Sequence, residues 1–187
     1  MDRLLVGTRL MMRSNEHDVI HRYFSGLTEY AFFSRVGLAD PPVVEYVAEL
    51  LARFIRSDAA FGIRDPSGRR LSGMARLLVE AQQRVGPTQR TLHRHIGDFA
   101  LFWAGLYPEA LELVEGPPRD AQFHEYCSHG KRAYFIASTL PPQKDDADGE
   151  VLLRLSNEFE ICVDALGEVR REWQKRDAGG EGPVLLN

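Results

Sequence analysis

Apolar residues recur along most of the chain at steps of three and four, the spacing that places side chains on one face of an α-helix. The pattern covers the segments 16–36, 43–56, 71–85, 88–106, 120–140 and 151–175. Pro108 opens a further short segment. The spacing therefore predicts an all-α, single-domain bundle of six to seven helices.

Residues that start and end helices separate these segments. Gly37 is a natural stop for the first helix, and Asp40 followed by two prolines is typical of a helix start. The turn sequence Asp-Pro-Ser-Gly predicts a short hairpin or a structured loop near 61–71. The domain is expected to cover 1–176, and its less ordered parts are an N-terminal arm over 1–15, a mobile acidic loop over 141–150 and a flexible tail over 177–187.

Two segments differ from ordinary amphipathic helices. The segment 88–106 becomes apolar nearly all round from Ile96 onwards, so we expect it at the centre of the bundle. The segment 151–175 carries a regular apolar seam of about three heptads, which suits packing inside the bundle or pairing with a second chain. The candidate interface residues on this seam are Leu155, Phe159, Leu166, Val169 and Trp173.

Composition restricts the compartment and the partners. Of the 187 residues, 44% are hydrophobic and the formal net charge is −4, so a nucleic acid is not an expected partner. No apolar stretch reaches the roughly 18 residues of a membrane span, and the first residues do not form a secretory signal. Cys127 and Cys162 lie within apolar helical patterns, as buried thiols do in a reducing compartment. We therefore expect a cytoplasmic protein.

The polar run 90–98 is the first candidate site. On a helix, Arg94, His95 and Asp98 share a face whose next turn is apolar, so we expect Asp98 to be buried. A buried carboxylate needs a partner, which we expect to be Arg94, His95, the pair 131–132 or a residue of another helix. This interpretation makes Asp98 a structural pin.

The same run supports a chemical alternative. A carboxylate that orients an imidazole is a common arrangement for catalytic bases and metal ligands, so His95 and Asp98 are also candidate catalytic residues. His93 is a weak candidate metal ligand, because it points about 200° away from His95 on a helix. We favour the structural pin, since buried ion pairs use the same residue types without performing chemistry.

His17 and His21 form a second polar pair, four residues apart and therefore on one helical face. Together they supply half of a metal site, which Glu16, Asp18 or Glu158 could complete. The zinc-protease pattern HExxH is absent. We predict no cofactor, and a metal at these two weak candidates is the lesser alternative to an exposed helix start.

A third cluster runs from His124 to Tyr134. Gly130 leaves open space in mid-helix, where a partner backbone or a small anion could sit, and neighbouring cations could receive a carboxylate or a phosphate. The structural alternative pairs Arg132 with Asp98 or Glu125. The candidate ligand-binding residues are Arg94, Lys131, Arg132 and Tyr134, and His129 and Arg132 complete the catalytic candidates.

The block HRHIGDFALFWAGLYPE, residues 93–109, resembles a group of uncharacterised bacterial all-helical proteins. Similar blocks recur at 134–138 and 155–173, so the resemblance covers most of the chain after Leu50. It implies a bacterial helical protein, and it implies no activity and no site residues.

The surplus of apolar residues favours a non-enzymatic module that binds a protein partner or a second copy of itself as a homodimer. Phe99, Phe102 and Trp103 on the central segment and the seam ending at Trp173 carry this prediction. The alternative is a helical-bundle enzyme or small-ligand sensor, with or without a metal, in which His95, Asp98, His129 and Arg132 surround a buried polar pocket. A small anionic ligand is a further candidate partner. We lean away from an enzyme because the common catalytic motifs are absent.

Overall fold

The computed structural model describes residues 18–55, 73–113, 119–144 and 146–179. The helices are α1 (18–29), α2 (Pro41–Phe54), α3 (Met74–Ala81), α4 (Pro87–Leu106), α5 (Arg119–Thr139), α6 (Gly149–Asn157) and α7 (Phe159–Ala178). A π-helical turn, Tyr30–Val36, continues α1, and a 3₁₀ helix, Pro108–Leu113, follows α4. These ranges contain no strand, which confirms the all-α bundle. The predicted arm over 1–15, the hairpin near 61–71 and the last residues of the tail lie outside the described residues.

Helix α4 is the centre of the bundle, as its apolar sequence predicts. It packs against α2, α3, α5 and α7 and against the 3₁₀ helix. From Ile96 to Leu106 every residue except Trp103 is buried. A helix surrounded on so many sides has little room for a polar face, which explains why its second half is almost entirely apolar.

Glycines allow neighbouring helices to approach α4 and α5 closely. A Cβ on Gly97 would lie 2.5 Å from Cδ1 of Tyr134, so the Tyr134 ring rests directly on the α4 backbone. A Cβ on Gly130 would overlap the ring of Phe159. The prediction of open space at Gly130 is therefore wrong, because a side chain of α7 fills it.

The start of α2 follows the predicted capping. Asp40 Oδ1 accepts a hydrogen bond from the Val43 amide at 3.2 Å, and Pro41 and Pro42 occupy the first turn. The preceding π-helical turn ends at Gly37, which has a φ of 76° and donates its amide hydrogen to the Phe32 carbonyl. Glycine adopts this left-handed conformation without the strain that a Cβ would cause.

The last predicted helix is interrupted at Glu158, which separates α6 from α7. The apolar seam continues across this break and faces the interior. All seven seam residues are buried in the single chain: Leu152, Leu155, Phe159, Cys162, Leu166, Val169 and Trp173. Helix α7 continues to Ala178, which is past the predicted boundary of the domain at residue 176.

One buried side chain anchors the connection between α5 and α6. Arg90, at the start of α4, donates hydrogen bonds to the Ala137 and Leu140 carbonyls at the end of α5. It also donates to the Ala147 carbonyl at 2.6 Å, and its Nε lies 3.4 Å from Asp146 Oδ2. The predicted acidic loop is therefore attached to the bundle at its middle, and α6 begins at residue 149, inside the predicted interval.

Candidate functional site

Asp98 lies at the centre of a buried polar network that joins three helices. Its side chain is only 1% exposed, and its Oδ1 accepts hydrogen bonds from the Tyr46 hydroxyl at 2.6 Å and the Tyr134 hydroxyl at 2.8 Å. Its Oδ2 accepts a hydrogen bond from Arg53 at 3.2 Å. Tyr46 and Arg53 belong to α2, Asp98 to α4 and Tyr134 to α5. The network therefore connects three helices through one carboxylate.

Electrostatics keep the three hydrogen-bond donors of this network protonated. Burial, followed by the negative charge of Asp98, raises the pKa of Tyr46 and of Tyr134 well above the usual value for tyrosine, so both phenols remain donors. Burial is the largest influence on Arg53 and opposes its charge, but Asp98, Tyr46 and Tyr134 together outweigh it and raise the pKa of the guanidinium. The carboxylate is satisfied by two phenols and a cation, which is the arrangement expected of a structural pin.

The predicted partners of Asp98 were wrong, apart from the general expectation of a residue from another helix. Arg94 Nη1 lies 3.3 Å from Asp146 Oδ1, and Lys131 Nζ lies 2.9 Å from Glu160 Oε1. Arg132 is exposed on α5. Tyr134 does bind a carboxylate, but that carboxylate is Asp98 and belongs to the protein.

His95 lies beside the network and does not join it by a hydrogen bond. Its ring centroid is 5.7 Å from that of Phe54 and 6.4 Å from that of Phe99. Its Nε2 is buried and has no hydrogen-bond partner among the described residues. Burial, opposed by Asp98 and assisted by Arg53 and other nearby cations, lowers the pKa of His95, so the ring is neutral near pH 7.

A cavity of about 380 Å³ opens between α3, α4 and α5. We call it the histidine cavity. It is lined by Leu78, Ala81, Gln82, Gln89, His93, His129, Arg132, Ala133 and Ile136. Apolar side chains of α3 and α5 thus form walls between which two imidazoles, two carboxamides and one guanidinium are placed. The sequence clusters around residues 93 and 129 therefore meet here, although they are far apart along the chain.

The polar groups of the histidine cavity are incompletely paired. His93 Nδ1 is buried and has no hydrogen-bond partner among the described residues. Burial lowers the pKa of His93, and the positive charge of Arg132 lowers it further. Within the same described ranges, Arg132 forms no ion pair, whereas His129 Nε2 lies 3.5 Å from Glu125 Oε1. The predicted pairing of Arg132 with Asp98 or Glu125 is not formed.

The catalytic candidates therefore divide between two places. His129 and Arg132 line the histidine cavity, and Asp98 and His95 belong to or flank the buried network. A groove of about 450 Å³ lies on the side of the network near α2 and α6, lined among others by Tyr46, Arg53 and Arg94. The single pocket expected around all four candidates is thus not formed.

The histidine predicted as a metal ligand on α1 meets two glutamates of α2. His21 Nε2 lies 3.3 Å from Glu45 Oε1 and 4.0 Å from Glu49 Oε1. The partners expected from sequence were Glu16, Asp18 and Glu158, so the helix that completes this cluster was wrongly predicted. His17 lies outside the described residues. His93, the third candidate, faces the histidine cavity instead.

The cysteines do not have the properties of nucleophiles. Burial raises the pKa of Cys127 to about 11 and that of Cys162 to about 12. Both thiols are free and buried. Since the thiolate is the reactive form, neither residue is activated near neutral pH.

The candidate interface residues lie in the core of a single chain. Leu155, Phe159, Leu166 and Val169 are fully buried, and Trp173 is 8% exposed. These side chains cannot also form a surface for a second copy while the bundle is folded. The seam is therefore corrected to an internal packing surface, and homodimerisation itself stays a prediction without an assigned surface.

Several residues of these sites have no distinctive sequence signal. Tyr46, Arg53 and Arg90 lie at ordinary positions of amphipathic helices, and their roles depend on which helices pack together. Gln82 and Gln89 lie on either side of the break between α3 and α4. Only the helical period could have indicated that Arg90 and Arg94 share a face and act on the same connection.

No protein-family model, curated protein or solved structure matches this chain. The resemblance of the block 93–109 to uncharacterised bacterial proteins therefore stays a prediction. Among the described helices, none combines the length and the apolar character that crossing a membrane requires.

Proposed function

We propose that this protein binds a small anionic ligand in the histidine cavity. The observation that carries the proposal is the Arg132 guanidinium, which lacks an acidic partner in the described ranges and opens onto the same cavity as His93 and His129. A cation beside two imidazoles is a preferred environment for a carboxylate or a phosphate. The function is therefore that of a ligand-binding helical bundle, such as a sensor.

The walls of the cavity support binding of a small organic anion. Leu78, Ala81, Ala133 and Ile136 provide apolar contacts, and a few polar groups converge on the same space. Small-molecule sites usually have this combination, with volumes of about 300–1,000 Å³. A volume of about 380 Å³ lies at the lower end of that range, which favours a compact metabolite over a nucleotide.

His93 also favours an anion over a neutral ligand. Burial and Arg132 disfavour the protonated ring in the absence of ligand. A bound negative charge would oppose the effect of Arg132 and favour protonation of His93. Protonation would then supply a second cation and a buried N–H donor, so affinity should rise as the pH falls through the pKa of His93 in the complex.

Thermal-shift measurements with acetate, succinate, citrate and inorganic phosphate would test the proposal. We expect at least one of these probes to raise the melting temperature of the wild-type protein in a saturable way. Arg132→Gln and His93→Gln should each reduce the affinity about tenfold or more, because each removes a charge-assisted or buried hydrogen bond.

Lys131→Gln is the matched control. Lys131 is the neighbouring cation on α5, but its amine is 2.9 Å from Glu160, and it lines a different cavity together with Arg132. Its substitution should leave the affinity within about twofold of the wild type. Loss of binding in Lys131→Gln with full binding in His93→Gln would place the anion in that other cavity and contradict the proposal.

A further inference from the structure

His21, Glu45 and Glu49 form a compact cluster between α1 and α2. One ligand atom from each residue, the imidazole nitrogen and two carboxylate oxygens, lies within 4.8 Å of the others. Glu45 and Glu49 are one helical turn apart and point to the same side of α2. This cluster is separate from the histidine cavity, which α3, α4 and α5 line.

We infer that this cluster is a binding site for a divalent transition-metal ion of the zinc class. Zinc takes imidazole nitrogen and carboxylate oxygen ligands at about 2.0–2.2 Å in a tetrahedron, which places the ligand atoms roughly 3.3–3.6 Å apart. The 3.3 Å between His21 Nε2 and Glu45 Oε1 already has this spacing. Glu49 Oε1, at 4.0 Å from the same nitrogen, needs only a small side-chain rotation to reach it.

The charges of the cluster also favour a divalent cation. Two carboxylates one turn apart on the same helix repel each other. Among the described residues, the basic nitrogen that lies within 4 Å of these two carboxylates is Nε2 of His21. Even a protonated imidazole leaves one negative charge in excess, whereas a divalent ion would neutralise both carboxylates.

Arg53, one turn further along α2, does not relieve this repulsion. Its Nη2 is 3.2 Å from Asp98 Oδ2, and its Nε donates to the backbone carbonyl of Glu49 at 3.4 Å. The guanidinium is therefore committed to the buried network and leaves the Glu49 carboxylate to the cluster. The buried pin thus holds this guanidinium away from the carboxylates of the proposed metal ligands.

The ligand types indicate which ions fit. Imidazole suits zinc, copper and nickel, whereas magnesium and calcium prefer sites made of oxygen atoms alone. Three protein ligands leave a fourth position for water. Both glutamates are at least half exposed, at 61% and 50%, so an ion can enter without opening the bundle. An ion held by one residue of α1 and two of α2 would also fasten these helices together.

Isothermal titration of the untagged, chelator-treated protein with Zn²⁺ would test this inference, and Co²⁺ absorption would report the coordination geometry. We expect one ion per chain and an increase in melting temperature on binding. His21→Ala and the double variant Glu45→Gln/Glu49→Gln should weaken binding about tenfold or more, because each removes ligands from a three-ligand site. Far-UV circular dichroism should show that these variants fold, since both glutamates are exposed and His21 is only partly buried.

His124→Ala is the matched control, because it removes an exposed histidine of α5 from outside the cluster. Its affinity for Zn²⁺ should equal that of the wild type. The inference would be overturned by the absence of saturable binding, by equal binding in the His21 and glutamate variants, or by a preference for Mg²⁺ or Ca²⁺ over Zn²⁺. None of these results depends on the anion proposed for the histidine cavity.

Discussion

At the scale of single residues, Asp98 shows how the hydrogen-bonding needs of one carboxylate can be met in an apolar interior. Two phenols and one guanidinium approach it from two other helices, so both oxygens are hydrogen-bonded. A carboxylate saturated by the protein in this way has little capacity left for a substrate. Asp98 is therefore best explained as a pin between helices, while the unpaired groups of the histidine cavity remain available to a ligand.

Replacing Asp98 with asparagine should destabilise the fold. The amide removes the negative charge that pairs with Arg53, and its N–H₂ donor must face either the two tyrosine hydroxyls or the Arg53 guanidinium, all of which already donate. We expect the free energy of unfolding in urea to fall by about 2–4 kcal/mol. Asp164→Asn, at an exposed position of α7, is the control and should change it by less than about 0.5 kcal/mol. Equal stabilities of the two variants would contradict the role of Asp98 as a pin.

The buried histidines should make the fold sensitive to mild acid. Burial is the main cause that lowers the pKa of both His93 and His95 in the folded chain, whereas an unfolded histidine titrates near about 6.5. At pH values between the folded and unfolded pKa values, the unfolded chain binds more protons than the folded chain. The contribution of these histidines to the free energy of unfolding is therefore complete above about pH 6.5 and is lost as the pH falls below it.

Urea denaturation at several pH values between about 5 and 8 would measure this decline. In His95→Gln the slope below about pH 6.5 should be smaller, whatever the stability of the variant at pH 8. The slope is the readout, because loss of the ring also changes packing against Phe54 and Phe99. An unchanged slope would show that His95 does not contribute to the acid sensitivity.

The sequence predicted that Asp98 would be buried and paired, but it could not identify the pair. The helical period places Arg94 and His95 on the same face as Asp98, which made them the obvious partners. Arg53 and Tyr46 reach Asp98 because α2 packs against α4 at that position. The spacing of apolar residues along either helix does not indicate which helix it packs against. The histidine cavity was beyond prediction for the same reason, since it exists only where α3, α4 and α5 meet.

At the scale of helices, the two glycines Gly130 and Gly167 have opposite roles despite similar positions in mid-helix. A Cβ on Gly130 would overlap the Phe159 ring and lie 2.8 Å from the Ala100 Cβ. A Cβ on Gly167 would meet nothing within 4 Å. The first glycine is thus required by the packing of α5 against α4 and α7, and the second only loosens α7.

Alanine substitutions should separate these two roles. Gly130→Ala should lower the free energy of unfolding by about 1–3 kcal/mol, because the added methyl group must displace an aromatic ring in a filled core. Gly167→Ala should raise it by about 0.4–1 kcal/mol, because alanine is the better helix former and no neighbour is in the way. Thermal or urea denaturation of both variants would measure the difference, and a stabilising Gly130→Ala would refute the close packing.

Helix ends were predicted less evenly than helix centres. The end at Gly37 and the start at Pro41 follow local rules of conformation and capping, and both were predicted from sequence. The interruption at Glu158 was missed because the seam keeps its three-and-four spacing across it. The third segment was predicted to continue to Val85, but α3 ends at Ala81 and Val85 is 79% exposed.

At the scale of the whole molecule, the seam shows where a periodic pattern is ambiguous. A stripe of apolar residues on one helical face looks the same in sequence whether a neighbouring helix or a second chain covers it. In this bundle α4 and the π-helical turn pack against α7. The Phe24 and Trp173 rings, with centroids 5.3 Å apart, meet edge to face near the end of the seam.

Trp173→Glu should therefore unfold the protein instead of separating two chains. The substitution removes a large buried ring and places a carboxylate in the core, which should cost at least about 3–5 kcal/mol. Circular dichroism should show a large loss of helix or a much lower melting temperature, and light scattering should not show the mass halve while the helix content stays unchanged. Ile161→Glu, at a 38% exposed position of α7, is the control and should remain folded. If the wild type is a dimer and the Trp173→Glu variant is a folded monomer, the seam is a dimer interface after all.

The contacts of Arg90 have a consequence for chain connectivity. Its guanidinium holds the carbonyls that end α5 on one side and the Ala147 carbonyl, just before α6, on the other. The hydrogen bonds of Arg90 therefore hold the end of α5 and the start of α6 together, in addition to the peptide chain that connects them through residues 141–144. A polypeptide cleaved within that link should keep its two pieces together, and two separately expressed fragments divided there should reassemble into the bundle when mixed.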